Sequence, residues 1–245
     1  MSRRLLILAA LLLPLAAAAG DARVAVASNF LPTLRLLAED FASQTGHRLR
    51  ISSASSGKLY AQILNGAPFE LFLSADSLRP QRLLAEGAVA DGRIGTYARG
   101  RLVLWLPRRQ TDAEGCRALL SSSPGLRLAM ANPRTAPYGQ AAWQALTALG
   151  LEPEKMNLVF GDNVAQAWTF ANSGAVDGGL VAAAQLRPHH PGCRWLLPEK
   201  LHSPLDQQAV LLERGEDNPA AQAFFRYLFG PTARRLIAQA GYQLP

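Results

Sequence analysis

Cysteine is scarce in this sequence, with two residues in 245, and charged residues make up only 18% of it. Two thiols cannot staple a miniprotein, and a chain that is 49% apolar with so few charges is not a disordered tail. Beyond residue 19 no stretch of about 18 residues escapes charge, glycine or proline, so no later membrane span is expected. The chain also has no K-T-G triplet, no G-x-S-x-G elbow and no P-loop, which leaves penicillin-recognising enzymes, α/β-hydrolases and phosphate-cradle enzymes without their motifs. Neither an internal repeat nor a low-complexity linker interrupts it.

What is present is enough length for one large domain or two small lobes, each able to bury a core. Residues 1–19 read as an export signal: Arg3 and Arg4, an apolar run from Leu5 to Leu15 broken by Pro14, then small residues up to Ala19. Cleavage is expected after Ala19, and no cysteine follows that could carry a lipid. The expected location is therefore the periplasm. Loss of Arg3 and Arg4 lowers the formal charge from +7 to +5, and an exported protein has little contact with nucleic acid, so basicity alone does not name a partner.

Along the chain a short apolar strand, a small polar turn and an amphipathic helix recur. Val24–Ala27 leads through Ser28 and Asn29 into apolar positions at Leu31, Leu34, Ala38 and Phe41, with Pro32 where the first helical turn tolerates it. Leu49–Ser53 leads through Ser55, Ser56 and Gly57 into a second helix, and Leu71–Leu73 is a third strand. Leu126–Met130 precedes Pro137, Tyr138 and Gly139, and Leu158–Phe160 precedes Asp162, Asn163 and Val164, each followed by a helix. Leu180–Ala183 and Gln208–Leu212 are further strands. This alternation predicts an α/β architecture with mainly parallel sheets.

Four strand-to-helix turns thus sit at helix starts, two in each half. Ligands of open α/β sheets bind at the carboxyl ends of strands, and a helix start offers unpaired N–H groups with partial positive charge. Taken singly, each turn also has an ordinary explanation as an N-cap, Asp162 included. Cys116 and Cys193 are permitted to pair after export, at about 4 to 5 kcal/mol on the chain-entropy model, or to remain two small unpaired residues; the sequence leaves both open. His189, His190 and Cys193, beside Pro191 and Gly192, look more like a turn than a metal site. Ser55-Ser56-Gly57-Lys58 is an S-x-x-K string, the remote alternative being a Ser/Lys acyl-transfer enzyme, but without K-T-G the lysine reads as a rim charge that draws in anions.

Val24 to Asn29, Ser55 to Leu59, Asn65-Gly66-Ala67-Pro68 running into Leu71 to Asp76, the Gly161 to Val164 turn, and the ending from Gly230-Pro231 to Gly241-Tyr242 together resemble the ModA family of periplasmic molybdate-binding proteins. The likeness covers the whole mature chain. It implies a two-lobed type II periplasmic-binding-protein fold with lobe I at residues 20–102 and 208–245, lobe II at 103–207, and hinges near Leu102–Leu106 and Asp206–Val210. It also implies capture, without catalysis or cofactor, of a tetrahedral molybdate or tungstate dianion for the membrane permease of an ABC importer, by a protein acting as a monomer. Carried over position by position, Ser28 and Ser56 supply hydroxyls, and Tyr138 and Val164 supply backbone N–H groups. A tyrosine hydroxyl common in the family falls at Ala182 here; Asn29 is expected to replace it through its amide. Sulfate or thiosulfate is the alternative ligand. Iron or a polyamine would need more acids and aromatics than these turns contain.

Overall fold

The computed structural model describes residues 19–123 and 125–245. The predicted signal lies outside the described residues except for Ala19. In chain order the first half runs β1 (Asp21–Ala27), α1 (Leu31–Thr45), β2 (Arg48–Ala54), α2 (Ser56–Leu64), β3 (Leu71–Leu73), α3 (Leu78–Ala85) and β4 (Val89–Arg99). There follow β5 (Leu102–Leu106), α4 (Ala113–Ser122), β6 (Leu128–Ala131), α5 (Pro137–Ala148), β7 (Leu158–Gly161), α6 (Val164–Ser173), β8 (Gly178–Ala182) and β9 (Cys193–Leu196). The chain ends with β10 (Asp206–Leu212), α7 (Pro219–Leu228) and α8 (Pro231–Gln239). Among the described residues no helix is long and apolar enough to cross a membrane.

Two five-stranded sheets result, ordered β2-β1-β3-β10-β4 and β7-β6-β8-β5-β9. In each, three strands pair in parallel as their strand-turn-helix pattern predicts, and the other two pairings are antiparallel. Four strands of each sheet therefore run in one sense, as expected, and only the strand that arrives from the other sheet, β10 in the first and β5 in the second, runs against its neighbours. Val24 to Ala27 is buried on both faces, as a central strand covered by helices on each side requires. Helix α1 buries Leu34, Leu37 and Phe41 on one stripe.

Each sheet has its own core. Phe30, Phe41, Tyr97, Phe224 and Tyr242 belong to the first; Leu104, Trp105, Met130 and Leu146 belong to the second. A disulfide joins Cys116 of α4 to Cys193 of β9, with the Cα atoms 5.7 Å apart. With Cys193 so engaged, the sulfur ligand of the His189, His190 and Cys193 grouping is removed.

The chain passes between sheets twice, at Gly100-Arg101 and at residues 197–205. These crossings touch, since the Gly100 N–H donates to Leu205 O at 3.0 Å. The pairing moves the first expected boundary by one residue and the second by two: Leu102 is already in the second sheet opposite Ala182, and Asp206 and Gln207 are already in the first opposite Arg99 and Ala98. The segments expected to be hinges, Leu102–Leu106 and Asp206–Val210, are paired strands; the short links beside them make the crossings.

Candidate oxyanion site

The four helix starts meet at one place between the sheets. A cavity of about 10 Å³ is lined by Ser28 and Asn29 after β1, Ser55 and Ser56 at the start of α2, Tyr138 in α5 and Val164 in α6, over Ala27, Ala75 and Ala136. All five residues singled out in the sequence line it, and Ser28, the most exposed of them, is 7% accessible. No charged side chain is among the described residues that line it.

Three of the four helix starts have no side-chain cap. Phe30, not Ser28 or Asn29, holds the N-cap position of α1, and it makes no capping bond. Ala136 at α5 has no polar side chain to offer. Ser55 stands at the N-cap of α2 without capping it, and its Oγ is buried with no partner. Only α6 is capped, by Asn163, whose carboxamide oxygen accepts from Ala165 and Gln166 N–H at 3.0 and 3.1 Å. The N-cap explanation therefore fails where the cavity lies, and the orphan N–H groups of helix starts stay available. Among the described residues no acceptor is bonded to the peptide N–H of Asn29, Ser56, Tyr138 or Val164.

Ser56 Oγ accepts the Ala75 N–H at 2.9 Å, which fixes its rotamer and leaves its own proton to donate into the cavity. Asn29 departs from expectation. Its Nδ2 donates to Gln207 Oε1 at 2.9 Å and to Tyr242 Oη at 3.2 Å, so the amide hydrogens are spent inside the protein. Only its peptide N–H can stand in for the donor missing at Ala182. Ala182 itself donates its N–H to Gln185 Oε1 at 3.0 Å.

Behind Asn29 lies a buried network that the sequence did not announce. Gln207, fully buried at the start of β10, also accepts from Tyr97 Oη at 3.1 Å, and its Nε2 comes within 3.5 Å of Tyr138 Oη. Gly100 makes room for it, because a Cβ there would run into the Tyr138 hydroxyl. Burial pushes the Tyr97, Tyr138 and Tyr242 hydroxyls well above the ordinary phenol range, so they stay neutral. Gln207 and Ser55 are the residues that local sequence reasoning missed; paired serines at 55 and 56 were the available signal for one, and nothing short-range marked the other.

At the rim, Lys58 Nζ lies 2.9 Å from Asp162 Oδ1. Asp162 is thus an ion-pair partner and not the cap of α6. Lys58 is turned to that carboxylate, which removes it as a base for the Ser55 hydroxyl.

The chemistry available is donation by neutral groups. A fully deprotonated tetrahedral anion needs donors only, whereas a protonated phosphate also needs an acceptor carboxylate, and the lining provides none. Two equivalent α/β sheets with uncapped helix starts from both converging on one cavity between them define a ligand-capturing protein of the two-lobed kind.

Comparison with known proteins agrees. The family model described as bacterial extracellular solute-binding protein matches residues 22–243. The chain is 43% identical to the molybdate-binding protein ModA of Azotobacter vinelandii over 249 residues, covering 100% of this chain and 98% of the relative. It is 39% identical to ModA of Rhodobacter capsulatus, over 94% of this chain and 91% of that one. The solved structure of the Azotobacter vinelandii periplasmic molybdate-binding protein matches with a TM-score of 0.86 at 41% identity, covering 91% of this chain and 99% of that structure. The chain belongs to the bacterial extracellular solute-binding protein family and, within it, to the ModA group.

Proposed function

We propose that the protein binds molybdate, or its near-isostere tungstate, in the periplasm and hands it to the membrane permease of an ABC importer. The observation that carries this is the cavity itself, lined from both lobes, free of charged side chains among the described lining residues and bordered by donors without partners. Ser28, Ser55 and Ser56 contribute hydroxyls; Asn29, Tyr138 and Val164 contribute peptide N–H groups. Hydrogen bonds to an ionised acceptor are about twice as strong as neutral ones, so a ring of neutral donors holds a dianion without a counter-charge. The relatives named for molybdate support the choice among dianions.

The lobes are built on the two sheets and move about the paired crossings at residues 100–101 and 197–205. The anion bridges them and favours the closed form by its greater affinity for it. The closed form is what the permease recognises. All of these groups come from one chain, so a monomer suffices. Sulfate matches in charge and shape, and its exclusion rests on size: donors spaced for a larger tetrahedron do not converge on a smaller one.

Titration calorimetry and thermal shift against molybdate, tungstate, sulfate and phosphate test this. A thousandfold excess over Kd should add about 4 kcal/mol of apparent stability for the true ligand. Absence of a response to both molybdate and tungstate, or an equal response to sulfate, rejects the proposal.

A further inference from the structure

We propose that the first turn of α2 is the latch that closes the cleft, with Gly57 as the positioning residue whose missing side chain lets the two lobes meet. This rests on the two-lobed capture reading above. Three consecutive residues of that turn face the opposite lobe. Ser56 lines the cavity, the Gly57 N–H donates to Thr135 O at 2.9 Å, and Lys58 pairs with Asp162. Thr135 precedes α5 and Asp162 precedes α6, so the turn touches both ligand-facing loops of the second lobe.

A Cβ on Gly57 would lie 2.6 Å from Thr135 O and 3.1 Å from Thr135 Cα. Both are backbone atoms and cannot rotate aside. On its third side the Cβ would lie 3.1 Å from Nη2 of Arg79, which is tied to Asp76. Within the first lobe only the end of the Arg79 side chain approaches the position, and no backbone atom of that lobe is among the three nearest neighbours. Gly57 is absent from the positive-φ glycines of the chain and sits in a helix, where alanine is the stronger former. Lys58 is likewise placed against local preference, since a cation in the first turn opposes the helix dipole. Both residues are unfavourable for α2 alone and become useful only when the second lobe arrives. Because Ser56 shares the turn, gripping the anion and seating the latch are one event. The S-x-x-K string noted in the sequence is thereby accounted for without catalysis.

Gly57 and Lys58 differ in expected weight. A blocked backbone contact holds the lobes apart, whereas an exposed ion pair contributes little and less with salt. The test is Gly57→Ala and Lys58→Met beside wild type, read in three ways: melting temperature, molybdate affinity, and zero-length carbodiimide cross-linking of Lys58 to Asp162 followed by peptide mapping. Wild type should form the cross-link, with higher yield when molybdate is added. Gly57→Ala should melt no lower than wild type, lose most of the cross-link and bind molybdate about ten- to hundredfold more weakly. Lys58→Met should stay within about threefold in affinity, the difference shrinking at high salt. Wild-type affinity and cross-link yield in Gly57→Ala overturn the latch; so does a markedly lower melting temperature, which would mean that glycine serves its own lobe, and so does a wild-type protein that never cross-links. If wild type binds none of the anions, the capture reading fails separately, and the anion-free cross-link yields of wild type and Gly57→Ala still decide the latch.

Discussion

Each strand of the first sheet has a counterpart at the same place in the second, β1 with β6, β2 with β7, β3 with β8, β10 with β5 and β4 with β9. The materials differ. The first core is knit by aromatic rings, with Phe30 in edge contact with Tyr97 and Tyr242 at 4.7 and 5.3 Å and Phe41 against Phe224 at 5.2 Å, and it depends on the C-terminal helices α7 and α8. The second has all four tryptophans of the chain and a disulfide between α4 and β9. The site divides along the same line. Serine hydroxyls line the cavity only from the first lobe, at Ser28, Ser55 and Ser56 beside the Asn29 peptide N–H, and the second lobe faces it with the helix starts at Tyr138 and Val164. One topology therefore lines the cavity with side-chain hydroxyls from one lobe only.

The largest expected effect separates the lobes by their supports. Replacing Cys116 and Cys193 together by serine should cost about 4 to 5 kcal/mol, since the bridge closes a loop with a sequence separation of 77. Tryptophan fluorescence during urea unfolding follows the second lobe alone and should show the lower midpoint; an unchanged midpoint would refute the claim that this lobe leans on its bridge. A smaller effect separates the donors. Ser56→Ala should weaken molybdate binding by about ten- to hundredfold, the worth of a hydrogen bond to an ionised group. Val164→Ala keeps its N–H and should stay within about threefold. Equal losses in calorimetry would erase the distinction between side-chain and backbone donors.

The last effect is absent at neutral pH and concerns the tyrosines behind the site. Tyr97, Tyr138 and Tyr242 have raised folded-state pKa values through burial. Above about pH 10 the unfolded chain releases these protons while the folded one retains them, so the unfolded state binds fewer protons and stability falls as pH rises. Below that pH the contribution is fully present. Unfolding free energies from urea titrations should decline between about pH 9.5 and 11, by a little over 1 kcal/mol per tyrosine per pH unit once past its unfolded value, and Tyr97→Phe should flatten the decline. A profile in which Tyr97→Phe falls as steeply as wild type counts against this assignment.

Strands β1, β2 and β3 and the turns after them were legible because apolar runs end abruptly in Ser, Asn and Gly. Strand β4 was not. It holds Gly92 and Gly95, which lower strand propensity, and the reason for Gly95 is tertiary: a Cβ there would come within 2.8 Å of the Phe229 ring. Asn29 was legible as a site residue but not in its role, since its amide partners Gln207 and Tyr242 lie 178 and 213 residues away. Gln207 itself looked like the polar start of an ordinary strand.

The sequence by itself determined, to within a few residues, where the four helices facing the cavity begin and which small polar residues stand near those starts, because strand, turn and helix propensities act over a few neighbours. Only the tertiary structure decided that three of the four starts go uncapped, that Asn29 is spent on Gln207, and that Lys58 and Asp162 meet across the cleft. Those outcomes depend on which groups from distant segments compete for the same donor or acceptor, and that competition is settled only when the two lobes are packed against each other.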